Sequence, residues 1–299
     1  QTQSLMDTTQ ERLSTGKKVN SAIDNPSSYY TAQSLTNRAS DLSSLLDSMG
    51  QAVQTIQAAN EGIEAITEFA SQAKAIANSA NDTSDVDSIE NYMKQFDEIL
   101  EQIDGIAKDS GYKGVNLLEK DQELKVVFNE DRSSSLTVKS DDASSEGLGL
   151  HAATGAWTSE AEKGNATEFK TNGKADAGAY VFNGDKVYEV KKNYDGTINA
   201  VDFNTLVADG SLVETDYKLN DDKSKAIEVT ISKDKINTSI TEVEDAVSKL
   251  RNMASVFGNN YSIVENREEF TENLINVLEE GADKLTLADM NEESANMLA

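Results

Sequence analysis

Across 299 residues the chain carries 27 Lys and Arg against 53 Asp and Glu, a formal net charge of −26. Such a charge repels phosphate backbones and anionic membrane surfaces, and no apolar run approaches the ~20 residues that span a bilayer, so neither nucleic acid nor membrane insertion is expected. Apolar residues make up 37%, aromatic residues 6%, and cysteine is absent, which removes disulfide and thiolate chemistry and suits about two thin, elongated domains better than one thick globule.

No cleavable signal segment with a basic start and an apolar stretch stands at Gln1, and the missing initiator Met gives the expectation that the chain begins inside a longer gene product. Asn25-Pro26 predicts a helix entrance, because Asn accepts a hydrogen bond from a free backbone N–H and Pro fills a position whose N–H has no partner. A stripe follows at steps of three and four broken only at Asn60, Leu42, Leu46, Met49, Val53, Ile56, Ile63 and Ile66, and continues through Ala70, Ala73 and Ala77. No proline interrupts it before Ala80, so from Leu42 alone the helix would run about 60 Å. Asn81-Asp82 then supplies a turn, and Ser84 with Asp87 resembles a capping box. A second heptad-like stripe, from Val86 through Ile89, Met93, Phe96, Leu100 and Ile103 to Ala107, is expected to fold back antiparallel.

Over residues 119–235 the texture changes to short alternating runs and turn dipeptides, predicting a β-rich region. Leu124, Val126 and Phe128 with Leu136 and Val138 suggest one hairpin near the helices. Asn183-Gly184, between Tyr180-Val181-Phe182 and Val187-Tyr188, signals another. Ile227, Val229 and Ile231 alternate as a half-buried strand does. Helical spacing then returns in Ile236, Ile240, Val243, Val247, Leu250, Ala254, Phe257, Tyr261 and Val264, with an end expected at about Glu280 before Gly281. Ile240, Val243, Val247 and Leu250 are expected to pack on the Leu46–Ile66 stripe. Helical pattern resumes from Leu285 to Ala299 and stops without a cap, so this end, like the start, reads as cut. The predicted class is α+β: a long antiparallel helical bundle from both chain ends, residues 1–118 and 236–299, with an inserted β-rich region at 119–235.

Catalysis has no candidate. The single histidine, His151, lacks the cysteines or second histidine of a zinc set and reads as a loop residue. No G-x-S-x-G turn is present, and no cofactor is expected. The Asn193–Asp202 stretch fails as a calcium loop, since its first ligand position would be Lys191 and its last Asp202 in place of Glu. Asp141-Asp142 and Asp221-Asp222 read as solvated acids in polar turns. Trp157 has two readings, a buried anchor or a sugar-stacking platform. The apolar stripes are by default the chain's own core, although a narrow rod commonly buries its remaining faces by lateral association.

Glu11-Arg12-Leu13-Ser14-Thr15-Gly16-Lys17-Lys18-Val19-Asn20-Ser21-Ala22-Ile23-Asp24-Asn25 closely resembles the amino-terminal signature of bacterial flagellins. Leu100-Glu101-Gln102-Ile103-Asp104-Gly105-Ile106-Ala107 and Tyr112-Lys113-Gly114-Val115-Asn116-Leu117-Leu118 resemble the end of that family's second helix and the entry to its hairpin. Asn273-Leu274-Ile275, Gly281-Ala282-Asp283 and Leu287-Ala288-Asp289-Met290-Asn291-Glu292-Glu293 resemble its carboxy-terminal helix. The resemblance covers residues 1 to about 120 and about 236 to 299, and it makes Arg12, Leu13, Gly16, Asn20, Asp24, Asn25, Asp283, Asp289 and Met290 the candidate assembly residues. It implies a secreted filament subunit whose helices stack in an outer tube and whose variable middle is exposed. It also implies that the flexible terminal segments that build the inner tube are missing from this chain, so that polymerisation by these residues alone is not expected. The implied partners are other copies of the chain, an export chaperone and a filament cap. Where many flagellins carry an Arg-Glu pair read by an innate immune receptor, this chain has Ala73 and Lys74. Two alternatives share the ends: a hook–filament junction protein, and a surface module whose middle binds polysaccharide or host glycan through rings such as Trp157, Tyr180, Tyr188 and Tyr194.

Overall fold

The computed structural model describes residues 2–287 together with 295 and 297. Its helices are α1 (Thr2–Thr15), α2 (Pro26–Asn81), α3 (Val86–Asp109), the short α4 (Phe203–Ala208) and α5 (Lys233–Thr286). The start of α2 is the one the sequence predicts: Asn25 Oδ1 accepts the Ser28 N–H at 3.1 Å, and Pro26 opens the helix. The cap of α3 is Asp85 rather than Ser84. The Asp85 carboxylate accepts both the backbone N–H and the hydroxyl of Ser88, at 3.2 and 2.7 Å, placing it one residue closer to the helix than the proposed capping box. Gly281 does not end α5 either. It keeps helical dihedrals, and the helix continues past the buried Ala282 to Thr286.

The residues form two compact units. One comprises 1–68, 103–148 and 248–299, the other 69–102 and 149–247. In the first, α2 and α5 run antiparallel: Ala39 and Leu42 pack with Ile275 and Leu278, and the Thr271 hydroxyl lies 3.9 Å from the Met49 sulfur. A hairpin of β1 (Glu123–Val127) and β2 (Ser135–Lys139) pairs Leu124 with Val138 and Val126 with Leu136. Asn116 ties the end of α3 to this region, its amide donating to the carbonyls of Ala107 (2.7 Å) and Lys108 (3.0 Å). The Arg267 guanidinium of α5 covers the Phe128 ring at 4.5 Å.

The second unit holds a six-stranded sheet in the order β8-β6-β5-β3-β10-β9. These are β3 (Thr158–Glu168), β5 (Tyr180–Asn183), β6 (Lys186–Val190), β8 (Leu212–Glu214), β9 (Lys218–Leu219) and β10 (Lys225–Ile231), while β4 (Lys174–Ala175) pairs with β7 (Tyr194–Asp195). Only β3 and β5 run parallel; the other neighbours in the six-stranded sheet are antiparallel. The β5–β6 register pairs Asn183 with Lys186, so the two loop residues are Gly184-Asp185, one later than the dipeptide expected. Gly184 takes φ +66° at the first loop position, where a two-residue turn of this hand calls for glycine. Lys74 of α2 lies 3.2 Å from Glu244 of α5 in this unit. The expected register of α5 is therefore corrected: Glu244, next to Val243, meets α2 at Lys74, beyond the Leu46–Ile66 stripe, while Leu250 lies beside Ile63. Seams that repeat every seven residues fix which faces meet but not the offset between them.

Turns reuse one device. In Asp131-Arg132-Ser133, Asp142-Ala143-Ser144, Asp195-Gly196-Thr197, Asp209-Gly210-Ser211 and Asp222-Lys223-Ser224 the carboxylate accepts the backbone N–H two residues on. Hydrogen bonds from Thr197, Ser211 and Ser224, side chain first and backbone second, hold Asp195, Asp209 and Asp222 below the usual 3.8. A lowered folded-state value means that these carboxylates support the fold above the unfolded value and stop doing so as pH falls through the folded one. An NMR titration is expected to give midpoints below 3.8 for all three, and midpoints at or above 3.8 would refute the turn bonds.

Gly62 of α2 sits where a Cβ would lie 2.1 Å from Ser110 Oγ and 2.6 Å from Leu118 Cδ1, and Leu118 is fully buried. Replacing Gly by Ala inside a helix ordinarily gains about 1 kcal/mol, whereas overpacking costs about 1–3. With contacts this short the clash wins, so Gly62→Ala is expected to lower stability in chemical denaturation. A more stable variant would show that Ser110 and Leu118 yield freely.

Candidate assembly segment

The segment that carries the family-like signature, residues 11–25, is a connector between α1 and α2. Helix α1 stops at Gly16, which takes φ +73° and donates its N–H to the Arg12 carbonyl at 2.8 Å, a left-handed helix end that glycine adopts without cost to a side chain. The next residues turn onto the far end of the chain. The N–H groups of Lys18 and Val19 both donate to the Thr286 carbonyl at the end of α5, at 2.5 and 3.1 Å, and Lys17 bridges Leu287. Val19 is buried there. Asp24 then closes the connector on itself, one carboxylate oxygen accepting the N–H of Asn20 (2.9 Å) and of Ser21 (3.2 Å). The Asn20 amide donates to Glu11 and Thr15, both at 3.3 Å.

Gly16, Asn20, Asp24 and Asn25 thus each have a local task, in ending α1, bracing the loop and starting α2. Arg12 and Leu13 are half-buried on the last turns of α1, and Asp283 is exposed on α5. Asp289 and Met290 lie outside the described residues. The Thr286 carbonyl, the acceptor that joins the two chain ends, has no side-chain signature and could not be read from residue types. Helix α1 itself buries no residue: Leu5 and Met6 are exposed, and Ile23 in the connector is 93% exposed.

The rings offered as glycan platforms are elsewhere engaged. Trp157 is fully buried, its ring centroid 4.9 Å from that of Phe96 and its indole N–H donating to Ser239 at 2.8 Å. Tyr188 and Tyr194 belong to one core cluster with Val181, Val190, Leu206 and Leu212, and Tyr180 is buried in the neighbouring cluster. Their faces are used in packing, which leaves none open to stack on a sugar. His151 is exposed, with Nδ1 2.7 Å from the Glu242 carboxylate. Ala73 is buried and Lys74 pairs with Glu244. Among the described residues no group of three or more His, Cys, Asp or Glu could hold a metal ion, and no helix is long and apolar enough to cross a membrane.

Asn25 offers a direct test of the connector. Asn25→Ala removes the cap of α2 and is expected to cost about 1 kcal/mol in denaturant unfolding, and no measurable change would mean that the cap bond is idle.

A family model described as the bacterial flagellin N-terminal helical region matches residues 1–123. The chain is 32% identical over 151 residues to flagellin FljK of Caulobacter vibrioides, covering 50% of this chain and 55% of that protein. It is 30% identical over 164 residues to flagellin FljO of the same organism, covering 54% and 60%. It therefore spans somewhat over half the length of these relatives. Flagellin C of Rhizobium meliloti is 23% identical over 305 residues, an alignment that takes in 98% of this chain and 84% of that protein. The matched amino-terminal region is thus similar to that of bacterial flagellins, and these aligned relatives are flagellins.

Proposed function

We propose that this chain is a structural, non-enzymatic subunit of the bacterial flagellar filament, exported from the cell and assembled with other copies of itself for motility. Residues 1–118 and 236–299 form the bundle through which copies stack, and 119–235 form the insertion displayed on the filament surface. The observation that carries the reading is the connector: the residues that resemble the flagellin signature tie α1 to the last turn of α5 through the Thr286 carbonyl, so segments from the two chain ends meet at one place. Gly16, Asn20, Asp24 and Asn25 serve assembly by holding that junction. Arg12, Leu13, Asp283, Asp289 and Met290 belong to the same assembly set on the strength of the resemblance. An export chaperone and a filament cap complete the partners.

Immunogold labelling of cells with an antibody to this chain, beside a deletion strain, tests the reading. Label along the whole filament and loss of that filament on deletion are expected. Label confined to the filament base would favour the junction role, and label on the cell surface away from any filament would favour a surface-binding protein.

A further inference from the structure

A long helix leaves its last carbonyls without intrahelical partners, and a basic residue in the last turn ordinarily answers them. Helix α3 has Lys108 there and α5 has Lys284, whereas the last turn of α2 holds no basic residue. Backbone bonds satisfy part of that end: the Asp82 N–H donates to the carbonyls of Asn78 at 3.1 Å and Ser79 at 3.2 Å, and the Thr83 N–H to Ala80 at 3.4 Å. The rest comes from far along the chain. Lys233, the first residue of α5, is 152 positions beyond Asn81, and its Nζ donates to the carbonyls of Asn81 at 2.7 Å, Ala80 at 3.2 Å and Thr83. An ammonium has three protons, and here each is given to a neutral oxygen.

Acids outnumber bases by 53 to 27, yet none of the three partners of this half-buried lysine is a carboxylate. Geometry, not the pairing of full charges, holds it. Backbone carbonyls converging on one point are the ligand set of a monovalent cation stripped of water, and the negative end of the α2 dipole adds to the attraction. A guanidinium would not fit, because its donors are spread over a planar fork. We infer that the α2–α3 turn is a carbonyl-lined site for a primary ammonium, and that the Lys233 ammonium is the tethered ligand that fills it. The site pins the passage from β10 into α5. Ser232, the residue before the lysine, donates its N–H to the Trp157 carbonyl at 2.7 Å, so the same junction fixes the buried Trp157 and the strand β3 that follows it. Removing the lysine side chain leaves the carbonyls facing an opening that a free ammonium ion can enter.

Two variants of the full chain test the site: Lys233→Ala vacates it, and Lys233→Met fills it without charge. Both are expected to melt about 4 °C or more below the unaltered chain, as hydrogen bonds to a charged group are lost. At one ionic strength, exchanging choline chloride for ammonium chloride is expected to return roughly half of that loss or more in Lys233→Ala, because choline is too large for the site. Lys233→Met and the unaltered chain are expected to melt alike in the two salts. No difference between the salts for Lys233→Ala overturns the inference, as does equal recovery of Lys233→Met, or a variant as stable as the unaltered chain. The unaltered chain also supplies a measurement that needs no variant. An amine-acylating reagent, read by peptide mass spectrometry, is expected to modify Lys233 roughly tenfold more slowly than the exposed Lys235, since each proton of the Lys233 ammonium is held. Equal rates overturn the occupancy of the site.

Discussion

The antiparallel pairing of α2 with α5 is the constraint on which the rest of the structure depends. It joins residues more than two hundred positions apart, as the contact between Met49 and Thr271 shows, and every other element lies in sequence between the two helices or next to their ends. The seam of α2 is built largely from alanine, with Ala39, Ala52, Ala59, Ala70, Ala73, Ala77 and Ala80 all buried. Small side chains let helices approach closely, so a narrow core is completed without the aromatic bulk that the composition lacks. The cost of that economy is sensitivity at the tightest points, of which Gly62, facing Ser110 and Leu118, is the clearest.

Carboxylates do much of the local work. The same Asp content that makes the chain acidic closes five turns, caps α3 through Asp85 and holds the connector through Asp24. In each case the oxygen accepts a backbone N–H that would otherwise be left to solvent. Net charge and turn geometry are therefore not independent features of this sequence, and substituting neutral residues to reduce the first would loosen the second.

The long helices were legible because their signals are redundant. Asn25-Pro26 marks a start, the three-and-four spacing repeats over many turns, and the switch to alternation after residue 119 is abrupt. What escaped the sequence has physical causes. The offset between α2 and α5 escaped because each heptad offers the same face as the next. The helix continues through Gly281 because a glycine stops a helix only when it turns left-handed. Asp85 displaced Ser84 as the cap because neighbouring polar residues compete for one N–H. The signature residues 11–25 could be picked out, but not what they bind, since their distant partner is the Thr286 carbonyl. Trp157 was open between core and surface until its neighbours Phe96 and Ser239, from separate stretches of chain, were known.

Each unit draws on the chain before and after the long excursion between α3 and α5, and this has a consequence for the order of folding. As the polypeptide emerges from its N-terminus, the α2–α3 hairpin has its contacts in hand early, because they are local and loop closure is short. Neither unit can close until α5 has been made, since residues 233–247 complete the second and 248–286 the first. The growing chain therefore stays open, its alanine seam uncovered, until α5 is available. Folding is in this sense withheld by topology, because both units wait on the same helix.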